Sequence, residues 1–359
     1  MDAEPPDILT AALMELSALR ILGLAVGVAV IVFAVARRRS LRNGDVLLML
    51  LAGLALVLVS GTELADALLG FFAFERGGGQ RILGLAVFAI AVLFVLVLRG
   101  QVQNGRIERK LTAALEGIAW DEFRTDGMPD RFRDKVAVVI PAYNEEDNIG
   151  AVIPRIPAVV CDRSTAVLVV DDGSRDRTGE IARANGAAVA RHVTNLGGGA
   201  ALRTGYRLMA DSGATLVVTL DADGQHLPEE MSRLVQPVLD GKVDVAHGSR
   251  VLGHAEPNHF SREMGIIFFN RLVSFITRTR VTDCSNGYRA VRSTVLPLLV
   301  LRQQQFHTSE FMIEAIKRGV PAKEVPVTVV SRLSGHSKKP AVLRYGLGFT
   351  NAIMRTWLR

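Results

Sequence analysis

The chain has 359 residues, 49% of them hydrophobic, with 42 Lys and Arg against 36 Asp and Glu for a formal net charge of +6. That length allows one large domain with an appendage, and the apolar content is high for a wholly water-exposed protein. Cys161 and Cys284 share no metal-ligand spacing, which argues against both a disulfide framework and a zinc cage.

The apolar excess lies at the start of the chain. Uncharged runs at 21–36, 46–61 and 82–98 predict membrane helices over about 17–36, 46–64 and 82–98, each near the lower limit of the roughly 17–25 residues that cross a bilayer. Residues 1–98 therefore read as an all-α transmembrane domain. Arg37, Arg38, Arg39 and Arg42 follow the first run, and Arg99, Arg106, Arg109 and Lys110 follow the third. Both flanks read as cytoplasmic, with the amino terminus outside and the protein a multi-pass plasma-membrane protein. Arg76 and Arg81 weaken this asymmetry without reversing it. The tail, with Asp2, Glu4 and Asp7, lacks the basic region of a cleaved signal peptide. Residues 99–134, with Leu111, Leu115, Ile118 and Trp120 among charges, read as an amphipathic juxtamembrane linker.

From Lys135 the pattern alternates. Strands are predicted at 136–140, 166–170, 187–192, 215–220 and 243–246, separated by helical segments, which implies an α/β domain over 135–340 with a mainly parallel sheet. Ligands of such sheets bind beyond the carboxyl ends of the strands, and the polar residues gather there. Pro141-Ala142-Tyr143-Asn144-Glu145 ends the first strand, and Asp171-Asp172-Gly173-Ser174 the second. The run 214–220 ends in Asp221-Ala222-Asp223-Gly224-Gln225-His226, where carboxylates one residue apart suit a hard cation completed by substrate phosphates. Such a turn can also be an ordinary solvated loop. Asn195-Leu196-Gly197-Gly198-Gly199 fits neither a dinucleotide fingerprint nor a Walker loop, so hydride transfer and ATP hydrolysis lose support. Two apolar helices punctuated by arginine, one beginning near Met264 and one at 341–359, read as interfacial, with charges toward lipid headgroups; the first can alternatively be a helix packed on the sheet.

These motifs, together with Gly248-Ser249-Arg250 and Asp283-Cys284-Ser285-Asn286-Gly287-Tyr288-Arg289, resemble the family 2 glycosyltransferases over 135 to about 340. The pattern is most similar to the dolichol- and polyprenol-phosphate mannosyltransferase branch. The preceding spans resemble a small bacterial membrane domain of unknown function. The resemblance implies a GT-A fold, Rossmann-like with a mainly parallel sheet, and inverting transfer from a nucleotide sugar with Mg²⁺ or Mn²⁺. It places Pro141, Tyr143, Glu145, Val170 and Asp172 at the nucleoside, and Asp221, Ala222 and Asp223 at ribose and diphosphate. Asp221, Asp223 and Gln225 would hold the metal. Arg332 and Ser337 belong to a late Arg-x-x-Gly-x-Ser-Lys loop, here Arg332, Gly335, Ser337 and Lys338, that closes over the donor. Arg250 and Arg262 are assigned to the acceptor phosphate, although Ile266 stands where some relatives carry Ser. Asp223, Arg250 and Arg332 are the expected catalytic residues.

A phosphate monoester is already largely ionised at neutral pH, so a phosphate acceptor needs cations rather than a base. Arg250, Arg262 and Arg289 supply them, and guanidinium forks suit phosphate. The expected partners are GDP-mannose or a UDP-hexose, a polyprenyl or dolichyl phosphate, and the bilayer, with no nucleic acid. UDP-glucose or UDP-N-acetylglucosamine transfer remains open, as does a non-catalytic nucleotide-sugar-binding protein. A polysaccharide synthase is disfavoured, because the only tryptophans, Trp120 and Trp357, build no Gln-x-x-Arg-Trp motif. Glu310 is expected to orient its neighbours.

Overall fold

Uncharged apolar stretches form the first helices. The computed structural model describes residues 18–36, 49–54, 56–57, 78–125, 128–256, 260–334 and 342–359. The chain divides into two units, Met1–Ile107 and Glu108–Arg359. In the first, α1 spans Ala18–Ala36, residues 49–54 and 56–57 are helical, and α2 begins at Gly78. Gly27 and Gly53 bring two of these helices together: a Cβ on Gly53 would lie 2.6 Å from Ile31 and 2.9 Å from the Gly27 carbonyl. Val28, Val32, Phe33 and Leu93 are exposed. Among the described residues no helix is long and apolar enough to cross a membrane. Most of the expected second span, the amino-terminal tail and Arg37 to Arg42 lie outside the described residues.

The expected third span and residues 99–125 of the expected linker form one helix, α2 (Gly78–Thr125). Its last turns, from Glu108, belong to the second unit. Thr112, Glu116, Ala119 and Phe123 recur at helical spacing on one face, and three of them are buried. Glu116 pairs with Arg203 at 2.6 Å, and the Trp120 indole N–H donates to Asp211 at 2.9 Å.

The second unit is built on β1 (Val136–Ala142), β2 (Val159–Val160), β3 (Arg163–Asp171), β4 (Ala188–Arg191), β5 (Leu216–Thr219), β6 (Val245–Ala255), β7 (Arg289–Arg292) and β8 (Ala322–Val329). The order is β2-β3-β1-β5-β7-β6-β8, with β4 paired to β3. β4, β3, β1 and β5 run parallel, as do β6 and β8, whereas β7 is antiparallel to both its neighbours. The intervening helices are α3 (Glu146–Val152), α4 (Thr178–Ala184), α5 (Gly198–Asp211), α6 (Met231–Leu239), α7 (Phe260–Thr277), α8 (His307–Lys317) and α9 (Val342–Trp357). Apolar clusters fill both faces of the sheet, one with Ile140, Val218 and Leu234, the other with Val139, Leu168 and Phe311.

The two apolar helices α7 and α9 each pack one face within the second unit. Phe349 and Ile353 of α9 pack with Phe269 and Val273 of α7 and Ile313 of α8 in a third cluster. Aromatic edges set this packing, with Phe269 and Phe349 centroids 4.3 Å apart. Arg359 anchors the end on Glu310 at 2.7 Å. Only the outer faces stay open, with Met264, Ile267, Phe268 and Phe275 exposed on α7.

Candidate functional site

The parallel strands, and β6 and β8 with them, end at one edge of the sheet, and the antiparallel β7 begins there. Asn144, immediately after β1, has a φ of 50°. Its amide donates to the Ser174 hydroxyl at 3.0 Å and its side-chain oxygen accepts the Arg175 amide at 2.8 Å, joining the first two acidic turns. Next to it, Glu145 is buried and accepts from the Asn148 side chain at 2.7 Å.

The turn after β5 is stitched to the segment after β8. Leu333 donates its amide to the Asp223 carbonyl, Val330 donates to the Gln225 carbonyl, and the Gln225 side-chain amide donates to the Val330 carbonyl. Arg332 is thereby delivered between two carboxylates: Nη2 lies 3.0 Å from Asp223 Oδ2 and Nη1 3.4 Å from Glu145 Oε1. The structure so brings together Glu145, Asp223 and Arg332, residues 78 and 109 positions apart along the chain. Asp221 differs. Its side chain is 46% exposed, its amide donates to His226 Nδ1 at 3.3 Å, and that ring stacks on Tyr288.

Hard-cation chemistry fits this donor set. Asp221 and Asp223 offer carboxylate oxygens, and Gln225, whose side-chain N–H is taken up by the Val330 carbonyl, has an amide oxygen as its other polar atom. The Arg332 guanidinium already stands as a cation at Asp223. Among the described residues no three His, Cys, Asp or Glu side chains gather into a closed cage, so an ion here would need oxygens from its substrate.

Several residues expected at the nucleoside, ribose or diphosphate are buried. Val170 and Ala222 are buried in the apolar clusters. Asp172, also buried, accepts the amides of Leu196 and Gly197 at 2.9 and 2.7 Å and pairs with His192 at 2.7 Å. His192 reaches Thr204 on its other side at 2.9 Å. This carboxylate holds the glycine loop at the start of α5. Pro141 and Tyr143 stay half-buried at the end of β1. Glu310 accepts the amides of Arg302 and Gln303, each at 2.8 Å, and so orients their loop.

On the other half of the edge, Arg250 leaves β6 with Nε 2.7 Å from Asp283 Oδ2, its own amide on the same oxygen at 3.0 Å, and Nη2 3.3 Å from the Ser285 hydroxyl. Asp283 is fully buried and its carbonyl meets His247 Nε2 at 2.8 Å. Burial is the main cause that lowers the His247 pKa to about 3, with the Arg289 charge adding to it. Arg289 is 1% exposed, so it does not present its charge to an acceptor at the surface. Arg262 lies in α7, but its side chain is outside the described residues, as are Gly335, Ser337 and Lys338 entirely. Sequence reading missed Asp283 and His192 as organising residues. Asp283 did stand inside a quoted motif, whereas His192 gave no signal beyond a strand ending in a polar residue.

An α/β sheet with acids at the ends of its parallel strands and a guanidinium between two of them suits an enzyme site for a phosphate-bearing ligand. Residues 137–298 match the family described as Glycosyl transferase family 2. A polyprenol monophosphomannose synthase of Mycolicibacterium smegmatis is 33% identical over 216 residues, 57% of this chain and 80% of that protein. A dolichyl-phosphate hexose transferase of Haloferax volcanii is 35% identical over 205 residues, 57% of this chain and 86% of that protein. The chain belongs to the family 2 glycosyltransferases. Among solved structures, glucosyl-3-phosphoglycerate synthase from Mycobacterium tuberculosis, in complex with Mn²⁺, UDP and glucosyl-3-phosphoglycerate, shares the fold with a TM-score of 0.50 at 23% identity, over 65% of this chain and 82% of that one.

Proposed function

We propose that this enzyme moves a hexose from a nucleotide sugar onto a polyprenyl phosphate with inversion, at the cytoplasmic face of the plasma membrane. The observation that carries this reading is the commitment of Asp283 to Arg250. The carboxylate beside the acceptor arginine is buried and holds the guanidinium, so it is not placed to remove a proton. A phosphate nucleophile needs no such removal. The relatives named for polyprenol and dolichyl phosphate transfer support the same acceptor.

Asp221, Asp223 and Gln225 would hold Mg²⁺ or Mn²⁺. Such an ion neutralises charge developing on the leaving diphosphate. In the resting enzyme Arg332 balances Asp223 and Glu145, and the same guanidinium can turn to donor phosphates. Arg250, fixed by Asp283, presents its remaining N–H groups to the acceptor phosphate. GDP-mannose is the donor proposed first. A relative from Methanococcus voltae named for UDP-N-acetylglucosamine, 29% identical over 85% of its length, keeps UDP sugars as the alternative.

For the membrane reading, the exposed apolar side chains of α1 and the close Gly27–Gly53 approach are features that membrane helices share. The outer face of α7 would rest on lipid headgroups. The test is a donor screen with purified full-length enzyme, Mn²⁺ or Mg²⁺ and a short polyprenyl phosphate. Label should pass from GDP-mannose into the organic phase. Equal use of the polyprenyl alcohol would overturn the phosphate-acceptor reading, and transfer from UDP sugars alone would replace the donor. Cysteine labelling in intact cells tests orientation: modification by an impermeant reagent near Asp240, but not near Ala3, would reverse it.

A further inference from the structure

The side chain of Arg289 heads the largest fully buried groups of the described residues, and among them it forms no ion pair. An effectively buried charge costs several kcal/mol unless its surroundings compensate it. Here the compensation is specific. Nε reaches the Gly287 carbonyl at 3.4 Å, Nη2 the Asn286 carbonyl at 3.3 Å, and the guanidinium lies 4.4 Å over the Phe311 ring. Burial lowers its pKa, while the nearby Tyr206 and Asp221 oppose that shift.

What the guanidinium grips is the turn preceding β7. The Thr219 hydroxyl grips the same Gly287 carbonyl at 2.7 Å. The α-carbon of Gly287 faces the Asp221 carboxylate so closely that a Cβ there would stand 2.9 Å from Oδ1 and 3.1 Å from Oδ2. Tyr288, the next residue, stacks on His226 with ring centroids 5.2 Å apart, and His226 Nδ1 accepts the Asp221 amide. Both the backbone and the carboxylate of Asp221 therefore rest on one short turn.

We propose that Arg289 is a positioning residue, a buried clamp that fixes the Asn286–Gly287–Tyr288 turn and through it the carboxylate of Asp221. The inference rests on the donor-site reading of Asp221. It replaces the expectation that Arg289 binds the acceptor phosphate. The clamp acts on donor and metal, not on the acceptor.

The experiment uses the full-length enzyme, with Mn²⁺ affinity measured by electron paramagnetic resonance and nucleoside diphosphate affinity by calorimetry, alongside acceptor kinetics. Arg289→Met keeps bulk and removes the clamp. It should weaken Mn²⁺ binding about 10–100-fold, as loss of an orienting partner does, with acceptor KM unchanged. Thr219→Val releases the other grip on the Gly287 carbonyl without touching a buried charge, and should shift the same readouts in the same direction by about threefold to tenfold. The Thr219 variant decides the matter if Arg289→Met does not fold. Wild-type Mn²⁺ affinity retained in a folded variant, or a rise confined to acceptor KM, overturns the clamp. Wild-type enzyme that binds no Mn²⁺ would instead reject the metal reading.

Discussion

The two halves of the catalytic edge treat their charges in opposite ways. On the parallel half, Asp221 is left 46% exposed, while Asp223, 11% exposed, meets the Arg332 guanidinium and accepts the Gln225 amide. On the half containing β7, Asp283 is 0% exposed and Arg250 is 11% exposed in a 2.7 Å pair. Arg289 is sealed away altogether. One half keeps the Asp221 carboxylate open to a mobile cation, and the other buries its charges before any ligand arrives. On the proposed reading, a donor diphosphate with its ion would bring charge that the open Asp221 carboxylate can meet. An acceptor carrying one phosphate would meet an arginine whose position is already fixed.

This contrast breaks most sharply at Asp223. Asp223→Asn keeps the size of the side chain but removes the anionic ligand and the Arg332 pair. Turnover should fall by about three orders of magnitude or more if ion stabilisation supplies several kcal/mol. Undiminished turnover, in this variant or in EDTA, would remove the acidic half of the comparison.

Arg250→Ala should lower kcat/KM for polyprenyl phosphate by about 10²–10³, or roughly 3–4 kcal/mol for one charge-assisted contact. It also strands Asp283 in the interior, so thermal unfolding should reveal a loss of about 3–5 kcal/mol. A variant that raised only the donor KM, with unchanged stability, would contradict the assignment. Arg262→Ala should act on the acceptor more mildly, because Ile266, four residues on, adds no polar group to support it.

The compensated half makes a pH prediction. His247 has its pKa lowered to about 3 by burial, against an unfolded value of 6.5. The unfolded chain then binds the extra proton first, so the contribution of His247 is complete above pH 6.5 and is lost as pH falls toward 3. The slope approaches about 1.4 kcal/mol per pH unit in that window. His247→Gln, which can keep the donor to the Asp283 carbonyl, should flatten the pH dependence of Tm there. An unchanged slope would show that this ring does not set it.

The smallest effect is expected where charge is merely superficial. Arg155 and Glu229 pair at 2.9 Å on the surface of the parallel half, with side chains 34% and 55% exposed. Arg155→Ala should change stability by less than about 1 kcal/mol and leave transfer untouched. A larger loss would mean that exposed pairs on that half also bear weight.

The parallel half was also the legible half. Each of its strands is an apolar run punctuated by acid or glycine, and the acidic turns stand at their ends. β7 escaped because its four residues, Arg289–Arg292, begin and end in arginine and read as loop. β8 contains Pro326, and β6 runs on to Ala255 through Gly248-Ser249-Arg250, which looks like a turn. Its pairing with β8 shifts register between Ser249 and His254, an irregularity that no alternation could announce. For α7 and α9 the amphipathic pattern identified an apolar face but could not say that each helix covers the other. Burial was similarly invisible: Asp172 and Asp221 look equivalent in sequence, and one is buried and holds a loop while the other is half exposed.

The reversed strand has an engineering consequence. Because β7 runs against its neighbours, its approach loop meets the working edge and its exit, at Ser293, leaves from the far side. Grafts that lengthen or exchange residues 278–285 would remodel the neighbourhood of Arg250, while grafts after Arg292 would land at the opposite edge of the sheet. Acceptor preference could thus diverge among descendants of such a chain through a single segment, leaving the sugar-nucleotide side inherited intact.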